Sequence, residues 1–247
     1  MTSTKETSKR QARREEMRRR EQRNRLMGLG LISIGVLFVA FLIIYPSLKP
    51  SQAIAAPHEI TRSQVDFNTA GNPDAPIRID EFSDFQCSHC ANFYRTTEQE
   101  LMNTYVADGT VYFVYNTFGD FMGTASAQMG SAAYCAGDQG KFWEMHDIIL
   151  SNQGTAQGTP VERRMSEFAK YLDLDMGKFD SCFSDGQFND EIDQDMKDGT
   201  AFGVKATPSF VISYTVNGEV KTKLLEGAYP YATFQQEIEA ALAEMGL

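Results

Sequence analysis

Histidine is scarce in this chain. Three occur in 247 residues, His58, His89 and His146, and they are scattered. Only one C-x-x-C is present, Cys87-Ser88-His89-Cys90. A structural zinc site takes four ligands, often as two close pairs, so these shortages argue against one. No methionine or histidine cluster stands beside the two thiols, which leaves a thiol-based copper-binding module as a weak alternative. No metal or cofactor is expected. Basic residues are in deficit over most of the chain. Residues 1–25 take ten of the 23 Lys/Arg and four of the 33 Asp/Glu, leaving 13 basic against 29 acidic residues for the rest. A globule this acidic is a poor nucleic-acid binder, because phosphate contacts need basic patches. Internal repeats are lacking too.

Charge is missing altogether from Leu26 to Leu48. As a helix that run spans about 34 Å, against about 30 Å for a bilayer's hydrocarbon core. The basic segment 1–25 directly precedes it. Positive flanks stay in the cytoplasm, so residues 26–48 are predicted to be a single transmembrane helix with the N-terminus cytoplasmic and the C-terminal part outside. A cleaved signal peptide is the alternative, since Ala53-Ile54-Ala55 resembles a cleavage site, but the basic and apolar runs are long for one. The basic run also mixes Glu with Arg at helical spacing (Glu15/Arg19, Glu16/Arg20), which suits a solvated helix better than a nucleic-acid arm.

Beyond the apolar run, residues 49–62 contain Pro, Ala and Ser without periodicity and read as a linker. Ile77 to Ser83 reads as a strand, Cys87 to Val106 as a helix, and Thr110 to Phe118 as a second strand rich in β-branched and aromatic residues. Ala125 to Asn152 and Pro160 to Thr200 look mostly helical. Ser209–Tyr214 and Val220–Leu225 flank Asn217-Gly218, a strong hairpin signal. Tyr231 to Met245 forms a closing amphipathic helix. Strand, helix, strand, helices, hairpin, helix is the order of an α/β domain with a mixed sheet.

The C-x-x-C sits where a strand passes into a helix. Disulfide exchange requires a thiolate, and the free N–H groups and dipole of a helix N-terminus favour one. Two intervening residues place the second thiol one turn on, within reach of the first. Cys87 is expected to be the exposed nucleophile and Cys90 the more buried resolving thiol. His89, when protonated, would further stabilise the Cys87 thiolate.

The stretch Ile79-Asp80-Glu81-Phe82-Ser83-Asp84-Phe85-Gln86-Cys87-Ser88-His89-Cys90 resembles the active-site strand and helix of DsbA-like proteins. Cys135 to Asp147 resembles that family's helical insert, Phe202 to Ile212 its cis-proline loop, and Gly227-Ala228-Tyr229-Pro230-Tyr231 its last turn. The resemblance implies an α/β thioredoxin fold over residues 63–247, interrupted by an inserted α-helical domain at about 122–200. It implies that Glu81, six residues before Cys87, exchanges a proton with Cys90. It implies that Pro208 is a cis-proline facing the redox pair, and that Thr207 offers backbone groups to an extended substrate. Trp143 and His146 read as packing residues. Ser88 departs from the proline common at that position, so the family's redox potential does not carry over.

With these residues the expected activity is that of an extracytoplasmic thiol–disulfide oxidoreductase that introduces disulfides into secreted or membrane proteins. A reductase or isomerase with the same site is the alternative. Reduced protein substrates and a quinone-linked membrane oxidase of the DsbB or vitamin-K-epoxide-reductase type are the partners the family implies. A monomer is expected, since related isomerases use an added dimerisation domain. Cys135 and Cys182 are expected to form a structural disulfide, because an oxidising compartment and an even count favour pairing. Closing the helical stretch between them contributes up to about 4 kcal/mol in the chain-entropy model.

Overall fold

The computed structural model describes residues 3–48, 52–119, 123–154 and 159–247. Residues 49–51 of the expected linker, and 122 and 155–158 of the expected insert, lie outside these. The chain divides into two compact units, Met1–Pro50 and Ser51–Leu247. The first is a single helix, α1 (Ser3–Leu48), in which the basic segment and the apolar run are continuous. Its stretch Met17–Ile43 contains an 18-residue window of mean hydropathy 2.7 and is, by length and composition, able to cross a membrane.

The second unit is built on a five-stranded sheet: β1 (Thr69–Ala70), β2 (Ile77–Ser83), β3 (Val111–Thr117), β4 (Ser209–Val216) and β5 (Glu219–Glu226), in spatial order β1-β3-β2-β4-β5. β2 and β3 are parallel; every other pairing is antiparallel. The parallel pair is joined by a helical crossover. α2 (Ser88–Phe93) and α3 (Gln99–Leu101) alternate there with two π-helical stretches, Tyr94–Glu98 and Met102–Val106. β4 and β5 turn at Asn217-Gly218, both with positive φ (52° and 84°), as a two-residue hairpin requires.

Among the described residues, five helices lie between β3 and β4: α4 (Thr124–Gly137), α5 (Phe142–Ser151), α6 (Val161–Tyr171), α7 (Met176–Asp185) and α8 (Asn189–Ala201). α7 starts at Asp175, whose side chain accepts from the Gly177 and Lys178 amides, and ends at Gly186 in the left-handed region. A disulfide joins Cys135 on α4 to Cys182 on α7. α8 reaches the sheet through Gly199, where a Cβ would fall 2.6 Å from Phe118 and 2.9 Å from Phe82. After the hairpin, α9 (Tyr231–Met245) packs back on the sheet, and Phe93, Phe210 and Phe234 from α2, β4 and α9 meet ring to ring.

Residues 52–62 form neither helix nor strand, yet they lie against the globular unit. The Asn152 side chain exchanges hydrogen bonds with the Ala55 backbone at 2.9 and 3.0 Å, and the Tyr94 hydroxyl donates to the His58 carbonyl at 2.5 Å. Arg62 is buried in ion pairs with Glu98 and Asp147 at 2.6 and 2.7 Å. This stretch is therefore a strap bound by distant side chains, which its Pro/Ala/Ser composition does not reveal.

Candidate redox site

β2 delivers the chain to the site. Period-2 alternation puts Ile77, Ile79 and Glu81 on one face of the sheet. Glu81 stands in register with Tyr115 on β3 and Phe210 on β4. Past Ser83 the strand yields to a turn fixed by Asp84. Its carboxylate accepts from the Gln86 amide and the Ser126 hydroxyl, each at 2.7 Å, and its carbonyl accepts from the Cys87 amide at 3.0 Å. Cys87 caps α2 in an extended conformation (φ −74°, ψ 120°). From α5's C-terminal end, Gln153 donates to the Phe85 carbonyl at 2.8 Å and the Cys87 carbonyl at 2.9 Å. The inserted helices thus grip both flanks of the first cysteine. Gln153 escaped notice in the sequence, where it sits in an unremarkable Ser-Asn-Gln-Gly turn.

Both thiols of the C-x-x-C are free. Neither is widely open: Cys87 is 7% exposed and Cys90 1%. The expectation of an exposed nucleophile holds only in rank, because the turn and the Thr207–Pro208 loop close over the Cys87 sulfur. That sulfur donates to the Thr207 carbonyl at 3.2 Å, and the Thr207–Pro208 peptide bond is cis. The Cys90 sulfur accepts from the Asp84 amide at 3.5 Å.

The two thiols have opposite tendencies. Cys87 is lowered to about 5, chiefly by a hydrogen bond from the Cys90 thiol; burial opposes this, and Thr207 and the backbone N–H groups of Cys90 and His89 assist. Cys90 is pushed well above the usual thiol range by burial and by Cys87. His89 is exposed, and its backbone N–H is among the groups that lower Cys87.

Glu81 is 2% exposed, and burial drives it well above the usual carboxylate range. The nearby Glu98 carboxylate adds to that rise; Ser83 and Arg62 oppose it. Tyr115, facing both Glu81 and Cys90, is also raised by burial and by their charges. Trp143 and His146 are buried, and each also makes a polar contact: Trp143 donates to the Thr69 carbonyl at 3.2 Å, and His146 Nδ1 lies 2.8 Å from Asp147. Among the described residues no cluster of His, Cys, Asp or Glu is suited to a metal ion.

A C-x-x-C at the start of a helix, faced by a cis-proline and set in a sheet interrupted by a helical insert, is the arrangement of a DsbA-like thioredoxin fold. The chain belongs to the thioredoxin family: the family model Thioredoxin_4, described as "Thioredoxin", matches residues 64–239. A Na(+)/H(+) antiporter NhaA 1 from Salinispora arenicola is 30% identical over 144 residues, which cover 58% of this chain and 21% of that protein. A putative protein-disulfide oxidoreductase from Rickettsia conorii is 26% identical, over 72% of this chain and 64% of that one. The chain thus spans between a fifth and two thirds of the length of these curated relatives. Among solved structures, oxidised BdbD from Bacillus subtilis superposes with a TM-score of 0.61 at 19% identity, covering 76% of this chain and all of that one.

Proposed function

We propose that the Cys87–Cys90 pair carries out thiol–disulfide exchange on protein substrates, with oxidation of substrate thiols as the net direction. The observation that carries this reading is the free Cys87–Cys90 pair at the start of α2, with the Cys87 sulfur 3.2 Å from the Thr207 carbonyl beside a cis-proline; the split between the thiols, Cys87 lowered to about 5 and Cys90 raised by burial, supports the direction. From the oxidised pair, a substrate thiolate attacks the Cys87 sulfur and the Cys87–Cys90 bond breaks. Cys90 leaves as a thiolate and takes the proton of Glu81. A second substrate thiolate then attacks the substrate sulfur of the mixed disulfide. Cys87 leaves as a thiolate, a good leaving group at that acidity, and the substrate keeps the disulfide. The Thr207 carbonyl and Pro208 flank the Cys87 sulfur, where an extended substrate would lie.

Direction follows from linkage. A Cys87 lowered to about 5 on folding, below the ordinary thiol range, makes the reduced folded protein more stable at pH 7 than an unshifted thiol would. The disulfide is then the higher-energy form and is given away. Reoxidation falls to a quinone-linked membrane partner of the DsbB or vitamin-K-epoxide-reductase type. Helix α1 is read as an uncleaved anchor, N-terminus inside, holding a monomeric redox domain outside the cytoplasm. The relative described as a putative protein-disulfide oxidoreductase supports the same chemistry. The test is the equilibrium potential of the pair against glutathione, together with oxidation of a reduced substrate protein. A potential near that of a cytosolic reductant, with no net oxidation, would replace this reading with that of a reductase or isomerase.

A further inference from the structure

Several buried polar atoms around Glu81 have no hydrogen-bond partner of regular geometry among the described residues: Glu81 Oε2, Ser83 Oγ, Glu98 Oε2, Tyr115 Oη and His146 Nε2. Buried polar groups are seldom left so, and such groups often mark a working site. Here they share one neighbourhood. Glu81 pairs with Tyr115 across β2 and β3, the Tyr115 ring lies 4.9 Å from that of His146 and 6.4 Å from that of Trp143 on α5, and the Arg62 guanidinium that holds Glu98 sits 4.2 Å over the same Trp143 ring. Glu98 approaches from the helical crossover and Arg62 from the strap.

The two carboxyls are treated differently. Glu98 Oε1 takes two hydrogen bonds from Arg62, Nε at 3.1 Å and Nη2 at 2.6 Å. Arg62 gives two more donors to Asp147, at 3.0 and 2.7 Å, and another to the Ile60 carbonyl at 3.5 Å, and Asp147 also meets His146. Glu81 has no such fork. Two buried carboxyls in one site cannot both ionise cheaply, so the pair holds a proton between them. The member gripped by a guanidinium is the one that ionises. With Arg62 positive and Glu98 and Asp147 negative, a second uncompensated anion at Glu81 is disfavoured, and the proton stays there.

We propose that Glu98 is the second half of an acid pair at the redox site: Arg62 keeps Glu98 ionised, so that the one proton the pair holds resides on Glu81, where Cys90 takes and returns it. Glu98 and Arg62 are positioning residues, acting on the sulfur only through Glu81. This rests on the reading of Glu81 as the proton donor to Cys90. When Cys90 leaves as a thiolate, the Glu81 O–H bond breaks and a Cys90 S–H bond forms; on reoxidation the proton returns.

The test uses the full-length oxidised chain in detergent. The rate of Cys90 release by a thiol peptide is measured against pH, per substrate thiolate, with reduced-minus-oxidised infrared difference spectra in the protonated-carboxyl region. Glu98→Gln removes the neighbouring negative charge, so Glu81 loses its proton at lower pH. The alkaline fall of the profile should move down by about one unit, which is a tenfold slower rate on that limb. Glu98→Asp should restore it. A merely structural defect would lower the rate at all pH values without moving the limb. The carboxyl band should vanish in Glu81→Gln and persist in Glu98→Gln. An unmoved profile in Glu98→Gln, or a band that vanishes there and survives in Glu81→Gln, overturns the acid pair while leaving Glu81 open as a lone donor. A wild-type profile in Glu81→Gln removes the proton-donor reading itself, and the pair with it. Should Glu98→Gln fail to fold, Arg62→Lys takes its place: with the fork on Glu98 lost the proton is shared between the two carboxyls, so part of the carboxyl band should survive in the Arg62→Lys, Glu81→Gln double variant, and its complete loss there overturns the acid pair.

Discussion

The Cys87 thiol donates to the Thr207 carbonyl at 3.2 Å, while the buried Thr207 hydroxyl beside it has no partner of regular geometry among the described residues. The hydroxyl is placed to serve the other charge state. Once Cys87 is ionised it can accept that O–H, and Thr207 is among the groups that hold Cys87 near 5. Thr207→Val keeps the shape and the carbonyl and removes the donor. The Cys87 titration, followed by thiolate absorbance in the ultraviolet, should rise by roughly one unit. No change would mean that the carbonyl alone shapes this side of the site.

Replacing Cys90 removes the largest influence on Cys87. Cys90→Ala should therefore raise the Cys87 titration point further than Thr207→Val does. It should also leave mixed disulfides with substrates unresolved from the protein side, visible as a mass increase that reductant reverses. A Cys87 that still titrates near 5 in this variant would shift the weight to the helix N-terminus.

The reduced protein should outlast the oxidised one by a margin that depends on pH. Cys87 is depressed on folding, so its contribution is complete above the unfolded thiol value and is lost as pH falls through about 5. Cys90 is raised and stays neutral in both states below about pH 8, so it adds no slope there. The gap in denaturation midpoint between reduced and oxidised chains should widen from pH 5 to pH 8. A constant gap, or a more stable oxidised form, contradicts the oxidant assignment.

Asp195 on α8 imposes the opposite slope. Burial raises it to about 7, with hydrogen bonds from the Tyr134 hydroxyl and the Thr117 amide opposing and Glu191 and Asp198 adding to the rise. The folded state then binds a proton that the unfolded state releases, so stability is lost as pH rises from about 4 to about 7. In the oxidised chain, where Cys87 does not titrate, Asp195→Asn should flatten that loss and keep both acceptor contacts. An unchanged slope in urea denaturation would exclude Asp195 as its source.

Much of this was legible in the sequence wherever a local pattern decides structure. The strand Ile77–Ser83 and the helix Tyr231–Met245 follow from alternation and periodicity, and the Asn217-Gly218 turn from its need for positive φ. The two-residue strand Thr69–Ala70 is too short to leave a pattern. Arg62, Glu98 and Gln153 were hidden for a different reason. Each looks like a surface residue in its own segment and becomes buried or bonded only when a distant segment arrives: Arg62 meets residues 36 and 85 positions away, and Gln153 meets ones 68 and 66 away. His89 adds a contribution that its side-chain type does not reveal, since its backbone N–H also acts on Cys87.

The Cys135–Cys182 bond ties α4 to α7 within the domain that carries the redox pair. On the oxidant reading, the enzyme is then a member of its own clientele. A newly made chain emerges with four thiols and reaches its finished form only after receiving a disulfide of the kind its mature copies dispense. Maturation then becomes a matter of inheritance, since existing molecules can supply the bond that their successors need.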